Sequence, residues 1–246
     1  MPFTRHWWRR RARRKEVRCL AWCLMPNHVH LILVPSADDG LRAALADAHR
    51  RYSRRINFAR GWTGYLWQGR FASYPMDEAH LMAAVRYVEL NPVRAKLAKR
   101  AEDWRWSSAR AHVSGKADGL TDLGAFAGVY RNWGAMLARG LEAGDLPPGA
   151  EAAIEAHQRT GRPWGDAAFI ERLEGETGRT LKRQTPGPKP KRQPVCAASR
   201  TATPVLPGGL TLTLLVLPLS RRLQRGSALP KIMLGCLAKR RTKPKK

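Results

Sequence analysis

Val17-Arg18-Cys19-Leu20-Ala21-Trp22-Cys23-Leu24-Met25-Pro26-Asn27-His28-Val29-His30-Leu31-Ile32-Leu33-Val34 is two apolar runs separated by one break. Residues 17–25 are short and apolar enough for a buried strand, Pro26-Asn27 is turn chemistry, and residues 28–34 are strand-like again. Two such runs across so short a break predict antiparallel neighbours. Cys19 and Cys23, four apart, are expected on one face of the first strand as small buried side chains rather than ligands. In the second strand, alternation puts His28 and His30 on the same side, about 7 Å apart along the backbone. Two imidazoles so placed can grip one divalent ion. The plainer reading is one buried structural histidine and one exposed, and the pair alone does not decide between them.

Downstream the period changes. Leu41, Ala44, Leu45, Ala48, Tyr52 and Ile56 recur at helical steps, with Arg42, His49, Arg50, Arg51, Arg54 and Arg55 largely on the other side. A Gly/Trp-rich connection over 61–69 leads into a third strand predicted over 70–76. Asp77 is an N-cap residue, Glu78 follows in the first turn, and Leu81, Ala84, Val85 and Val88 form one stripe. Pro92 is expected to end that helix near Leu90 or Asn91, because a residue before proline avoids the helical region. Residues 103–114 read as a loop and a short helix, and 120–176 as helical segments broken by Gly and Pro.

On the predicted Asp77 helix, Tyr87 and Asn91 are one turn apart and share a face, with Ala84 and His80 further back along it. A phenol aimed at a phosphorus polarised by a metal can act as a nucleophile, and a carboxamide oxygen can be a third ligand. The plainer reading is packing for Tyr87 and capping for Asn91. The arginines at 50, 51, 54 and 55, followed by Trp67-Gln68-Gly69-Arg70-Phe71, suit phosphates and unpaired bases, or equally a solvated helix face and a core tryptophan.

Composition agrees with a polyanionic partner. The chain has 246 residues with 45 Lys and Arg against 19 Asp and Glu, a net charge of +26. No carboxylate follows Glu176, and 17 basic residues do, so the first part is the more balanced one. With 43% apolar residues and nine tryptophans, that first part can build a core. No run reaches the 18–20 apolar residues or so that a bilayer span needs, and Gly209 to Leu219 is short and holds a proline. The arginine-rich start lacks the apolar segment of a secretory signal. Four cysteines make no disulfide framework. These features predict a reduced, cytoplasmic protein with no membrane partner.

Taken in order, Leu24 to Ile32, Trp67-Gln68-Gly69-Arg70-Phe71, Asp77-Glu78-Ala79-His80-Leu81, Arg86-Tyr87-Val88-Glu89-Leu90-Asn91-Pro92-Val93-Arg94-Ala95 and Trp106-Ser107-Ser108 resemble the REP-associated tyrosine transposases. These belong to the HUH single-strand DNA transposases. The dense part of the resemblance is residues 17–115. It implies an α/β (α+β) fold, a ferredoxin-like sandwich with an antiparallel sheet. Relatives carry a strand and a helix ahead of the segment matching 17–25, so an N-terminally incomplete sheet is expected. The implied organisation is a basic remnant over 1–16, the HUH catalytic domain over 17–115, a helical accessory region over 116–178, and a basic Pro-rich linker with a disordered tail over 179–246.

By the same resemblance, Tyr87 is the nucleophile that leaves a 5′-phosphotyrosine and a free 3′-hydroxyl. His28 and His30, joined by Asn91, hold Mg²⁺ or Mn²⁺, and His80 stands behind them. Arg50, Arg54, Trp67, Gln68, Arg70 and Arg94 contact DNA. The substrate is single-stranded or hairpin DNA of palindromic repeats, met at the nucleoid by a monomer or a dimer. An active strand-transfer enzyme and a hairpin-binding remnant without catalysis both remain open at this stage.

Overall fold

The computed structural model describes residues 17–37, 40–67, 71–129, 132–140, 149–182 and 212–218. Strand β1 (Val17–Leu24) pairs antiparallel with β2 (His28–Pro35), as the two apolar runs predict. Helix α1 (Gly40–Arg60) follows, then β3 (Ala72–Met76) and α2 (Glu78–Arg94). Short α3 (Ala109–Ser114) and α4 (Trp133–Arg139), then α5 (Ala150–Thr160) and α6 (Ala167–Thr177), come after. The last described element is β4 (Leu212–Pro218).

The sheet order is β1-β2-β4-β3, all neighbours antiparallel. This corrects two expectations. Part of the tail is not disordered: Leu212-Thr213-Leu214-Leu215-Val216-Leu217-Pro218 is a strand, and it fills a central place between β2 and β3. The reason is in its composition, apolar residues with Thr213 and Val216 among them in a strand-length run, which suits a strand paired on both sides. The sheet is therefore not one strand short. The remainder of 179–246, beyond Lys182, lies outside the described residues, as does the basic segment 1–16.

Helices cover both faces. On one, Ala44, Leu45 and Ala48 of α1 pack with Val29, Leu31, Leu33, Trp22, Leu24 and Trp106. On the other, Ala84, Val85 and Val88 of α2 pack with Ile32, Val34, Tyr74 and Met76. Phe126, Trp133, Met136, Leu137, Ile154 and Trp164 join this second cluster, so the accessory helices share one core with α2. The segments leading into them also close the sheet edges. The amides of Leu24 and Ser108 donate to Trp106 and Trp22 carbonyls at 2.8 and 2.9 Å along β1, and Trp164 N–H donates to Pro75 O at 2.9 Å beside β3. Covered edges cannot recruit foreign strands.

Two local expectations also change. The β1 register slips between Cys19 and Ala21, which reverses the alternation. Cys19 and Cys23 are both buried, but in the two different cores. Helix α2 does not stop at Leu90 or Asn91 but runs to Arg94 with Pro92 inside it. Proline removes one donor, and Ala95 N–H to Asn91 O (2.9 Å) and Leu97 N–H to Pro92 O (2.8 Å) close the last turn around the buried Pro92 ring.

Candidate active site

β2 and α2 bring four side chains together. The parity that buries Ile32 and Val34 against α2 turns His28 and His30 to the same side, toward Tyr87 and Asn91. The Asp77 carboxylate accepts from His80 N–H at 3.0 Å and so fixes the start of α2, and the stripe Ala84, Val85, Val88 fixes its rotation. The His30 and Tyr87 rings then meet edge to face with centroids 5.5 Å apart. The Asn91 amide lies 3.1 Å from His30 Nε2. The Arg94 guanidinium lies 5.7 Å from the centre of the Tyr87 ring, placing a cation beside the phenol.

The histidine pair has a chemistry that its hydrogen bonds define. His28 Nδ1–H donates to Asn27 Oδ1 at 2.6 Å, which leaves Nε2 as the lone-pair nitrogen. That nitrogen is 2.8 Å from His30 Nε2. The Asn91 amide nitrogen stands 3.1 Å from the same His30 Nε2, so the three side chains converge on one point. Burial holds the His28 imidazole below its ordinary pKa, and burial with the neighbouring His28 holds His30 further below. Neutral imidazoles are what ligation requires. A half-turn of the Asn91 amide adds a carboxamide oxygen, giving the mixed nitrogen and oxygen set that suits Mn²⁺ or Mg²⁺. Among the described residues no group of three or more His, Cys, Asp or Glu could hold a metal. An ion here therefore rests on the two imidazoles, Asn91 and oxygens from substrate or water.

The other predicted residues lie elsewhere. His80 accepts no place behind the imidazoles: it bonds Asp77 at 2.5 Å and packs on Trp164, two helical turns before Tyr87. Arg50 and Arg54 are exposed on α1, across the sheet from the histidines, and Arg50 pairs with Asp47 at 2.8 Å. Trp67 is stacked on His49, centroids 4.2 Å apart, so one face of its ring is covered. Gln68 and Arg70 lie outside the described residues.

One buried cluster was given no role by sequence reasoning. Glu89, on the far side of α2 from Tyr87, is fully buried. Its carboxylate accepts from Ser108 Oγ–H (2.5 Å), His112 Nδ1–H (2.6 Å) and Trp133 Nε1–H (2.8 Å). The available signal was a lone carboxylate between Val88 and Leu90 in an apolar stripe. Its partners come from two later elements, which no local pattern announces.

Comparison with known proteins follows the same residues. Residues 3–91 match the family described as "Transposase IS200 like". The chain is 27% identical over 105 residues to a protein of Haemophilus influenzae (strain ATCC 51907 / DSM 11121 / KW20 / Rd) named "Putative REP-associated tyrosine transposase". That match covers 38% of this chain and 60% of the relative. No solved structure matches. The matched segment holds β1, β2, α1, β3 and α2 to Asn91, which includes the whole four-residue cluster. No helix among the described residues is long and apolar enough to cross a membrane.

Proposed function

From this kinship with the IS200-like transposases, we propose that the chain is a metal-dependent transposase that cuts and rejoins single-stranded or hairpin DNA through Tyr87. The observation that carries the reading is the meeting of His28, His30, Tyr87 and Asn91 from two separate elements at one point. A divalent ion held by the two imidazoles and Asn91 would polarise the scissile phosphate and neutralise its charge. The Tyr87 hydroxyl oxygen attacks phosphorus. An oxygen–phosphorus bond forms to tyrosine, the bond to the 3′ oxygen breaks, and the proton lost by the phenol ends on that leaving oxygen. The product is a 5′-phosphotyrosine and a 3′-hydroxyl. Because the bond energy is kept in the phosphotyrosine, the reverse attack by another 3′-hydroxyl rejoins strands without a nucleotide triphosphate. Arg94 beside the ring supplies fixed positive charge where the pentavalent phosphate gathers negative charge.

Incubating a labelled hairpin with the protein and Mn²⁺ and separating the products on a denaturing gel tests this. The expected result is a covalent band with the native chain and none with Tyr87→Phe, whose hairpin affinity stays within about twofold because the substitution removes a single hydroxyl. A band that persists with phenylalanine removes Tyr87 from the reaction. No band with the native chain favours a binding protein without catalysis.

A further inference from the structure

We propose that the far end of α1 and the loop behind it form a stacking platform for unpaired DNA bases, distinct from the Tyr87 cluster. The proposal rests on the single-strand DNA reading above and gives it a second contact surface. Phe58 and Tyr65 are 91% and 94% exposed, the two most exposed large apolar side chains among the described residues. The residues next to each of them in the chain are bonded to one another. Asn57 Nδ2–H donates to Gly64 O at 2.9 Å and Trp62 N–H donates to Asn57 O at 2.9 Å, so the loop is tied back onto the helix at the residues adjoining both rings. Two rings presented on a pinned backbone lose little freedom on binding, whereas leaving them in water has no benefit to the fold.

The surroundings identify the ligand. From Ala48 to Met76 the chain has six arginines and no carboxylate, and Asp47 just ahead pairs with two of them, Arg50 and Arg51. Arg54 and Arg60 are exposed on the last turns of α1, and the Arg60 guanidinium lies 5.9 Å from the Trp62 ring centre. Aromatic faces beside exposed arginines match bases and phosphates together, the combination that single strands offer and duplexes do not. A second copy of the chain docking here would bring the same arginines face to face, so charge favours DNA over self-association.

α1 starts beyond Pro35, at the end of β2 away from His28, and returns across the sheet with Ala44, Leu45 and Ala48 against Leu31 and Leu33. At about 1.5 Å per residue its 21 residues span about 31 Å, against about 26 Å for the eight residues of β2. Its last turns carry the chain back over the face of the sheet that Leu31 and Leu33 line. There Ile56 leaves the sheet core for a small cluster with Leu66, Tyr52 and Trp62.

The test uses the full chain carrying Tyr87→Phe, so that binding is read without cleavage and independently of whether Tyr87 is the nucleophile. The probes are a fluorescent oligodeoxythymidine and a blunt duplex of equal length, at elevated salt where contacts from the basic tail are screened. Adding Phe58→Ala with Tyr65→Ala is expected to weaken oligodeoxythymidine about tenfold or more, to leave the duplex within about twofold, and to leave the salt slope unchanged because no phosphate contact is lost. Phe58→Trp restores affinity, and 5-iododeoxyuridine in the strand cross-links to Phe58 or Tyr65. Unchanged single-strand affinity in the double alanine variant overturns the proposal. So does a dimer, seen by sedimentation, that the double variant dissociates while DNA affinity holds.

Discussion

Replacing Glu89 tests whether the buried acceptor behind α2 holds the candidate catalytic helix in place. Glu89→Gln keeps the shape and changes only the hydrogen-bond inventory. The amide oxygen can stay on the side of Ser108 and His112, which share Oε1. Its NH₂ then faces Trp133 Nε1–H, donor against donor, where the carboxylate accepted at 2.8 Å. One buried donor loses its acceptor, a cost of about 1–3 kcal/mol. Glu89→Ala removes the acceptor entirely. Ser108 Oγ–H can still donate to Trp22 O at 3.3 Å, while His112 Nδ1–H and Trp133 Nε1–H lose the bonds they make to the carboxylate, and a void opens beside them. Together these cost about 3–6 kcal/mol, a large share of an ordinary domain's stability of about 5–15 kcal/mol. The assay is urea unfolding of the full chain followed by tryptophan fluorescence and circular dichroism. The discriminating measurement is a cycle with Trp133→Phe, which should cost about 1–2 kcal/mol less in the Glu89→Gln background than alone, since its donor is already orphaned there. Strict additivity of the two substitutions, or a Glu89→Ala variant as stable as the native chain, would refute the reasoning.

Two further outcomes follow from other elements. Burial lowers the His49 pKa from 6.5 to about 4. A neutral imidazole favoured by folding means that the unfolded chain binds more protons in that window, so stability falls as pH drops from about 6.5 toward 4. With part of the ring in water, His49 contributes about 1–2 kcal/mol of that loss, and His49→Gln flattens the melting-temperature profile over the same range; an unaltered profile removes His49 as its cause. In β4, Leu214→Pro places a residue without N–H in the middle of a central strand. Hydrogen exchange should show protection at β2 and β3 amides dropping about ten- to hundredfold, and protection that stays at its native level would mean that the sheet does not depend on β4.

The parts of this molecule legible in the sequence are those set by near neighbours. His28 and His30 share a face because strands alternate, and Tyr87 and Asn91 because helices turn, so each half of the candidate site could be named from spacing alone. That the halves meet was reached only through resemblance, because it depends on how β2 and α2 pack. What escaped depends on distant partners. One slipped position in β1 sends Cys19 to the opposite core from Cys23, and nothing in residues 17–25 marks it. Trp67, readable from its motif as a base-stacking ring or a core one, has one face covered by His49 from the preceding helix. The most distant dependence is β4. His28 pairs with Pro218 and His30 with Val216, while Val216 also pairs with Ala72 on the other side. The strand bearing the imidazoles and the strand that leads through Asp77 into the helix bearing Tyr87 are thus one strand apart, about 10 Å, at a spacing set by a segment more than a hundred residues downstream. Were β2 and β3 to pair directly instead, that spacing would halve and α2 could not keep both its packing on Ile32 and its approach to His30. The geometry of the histidine–tyrosine cluster is therefore a property of the sheet as completed by its C-terminal strand, and no reading confined to residues 17–115 could contain it.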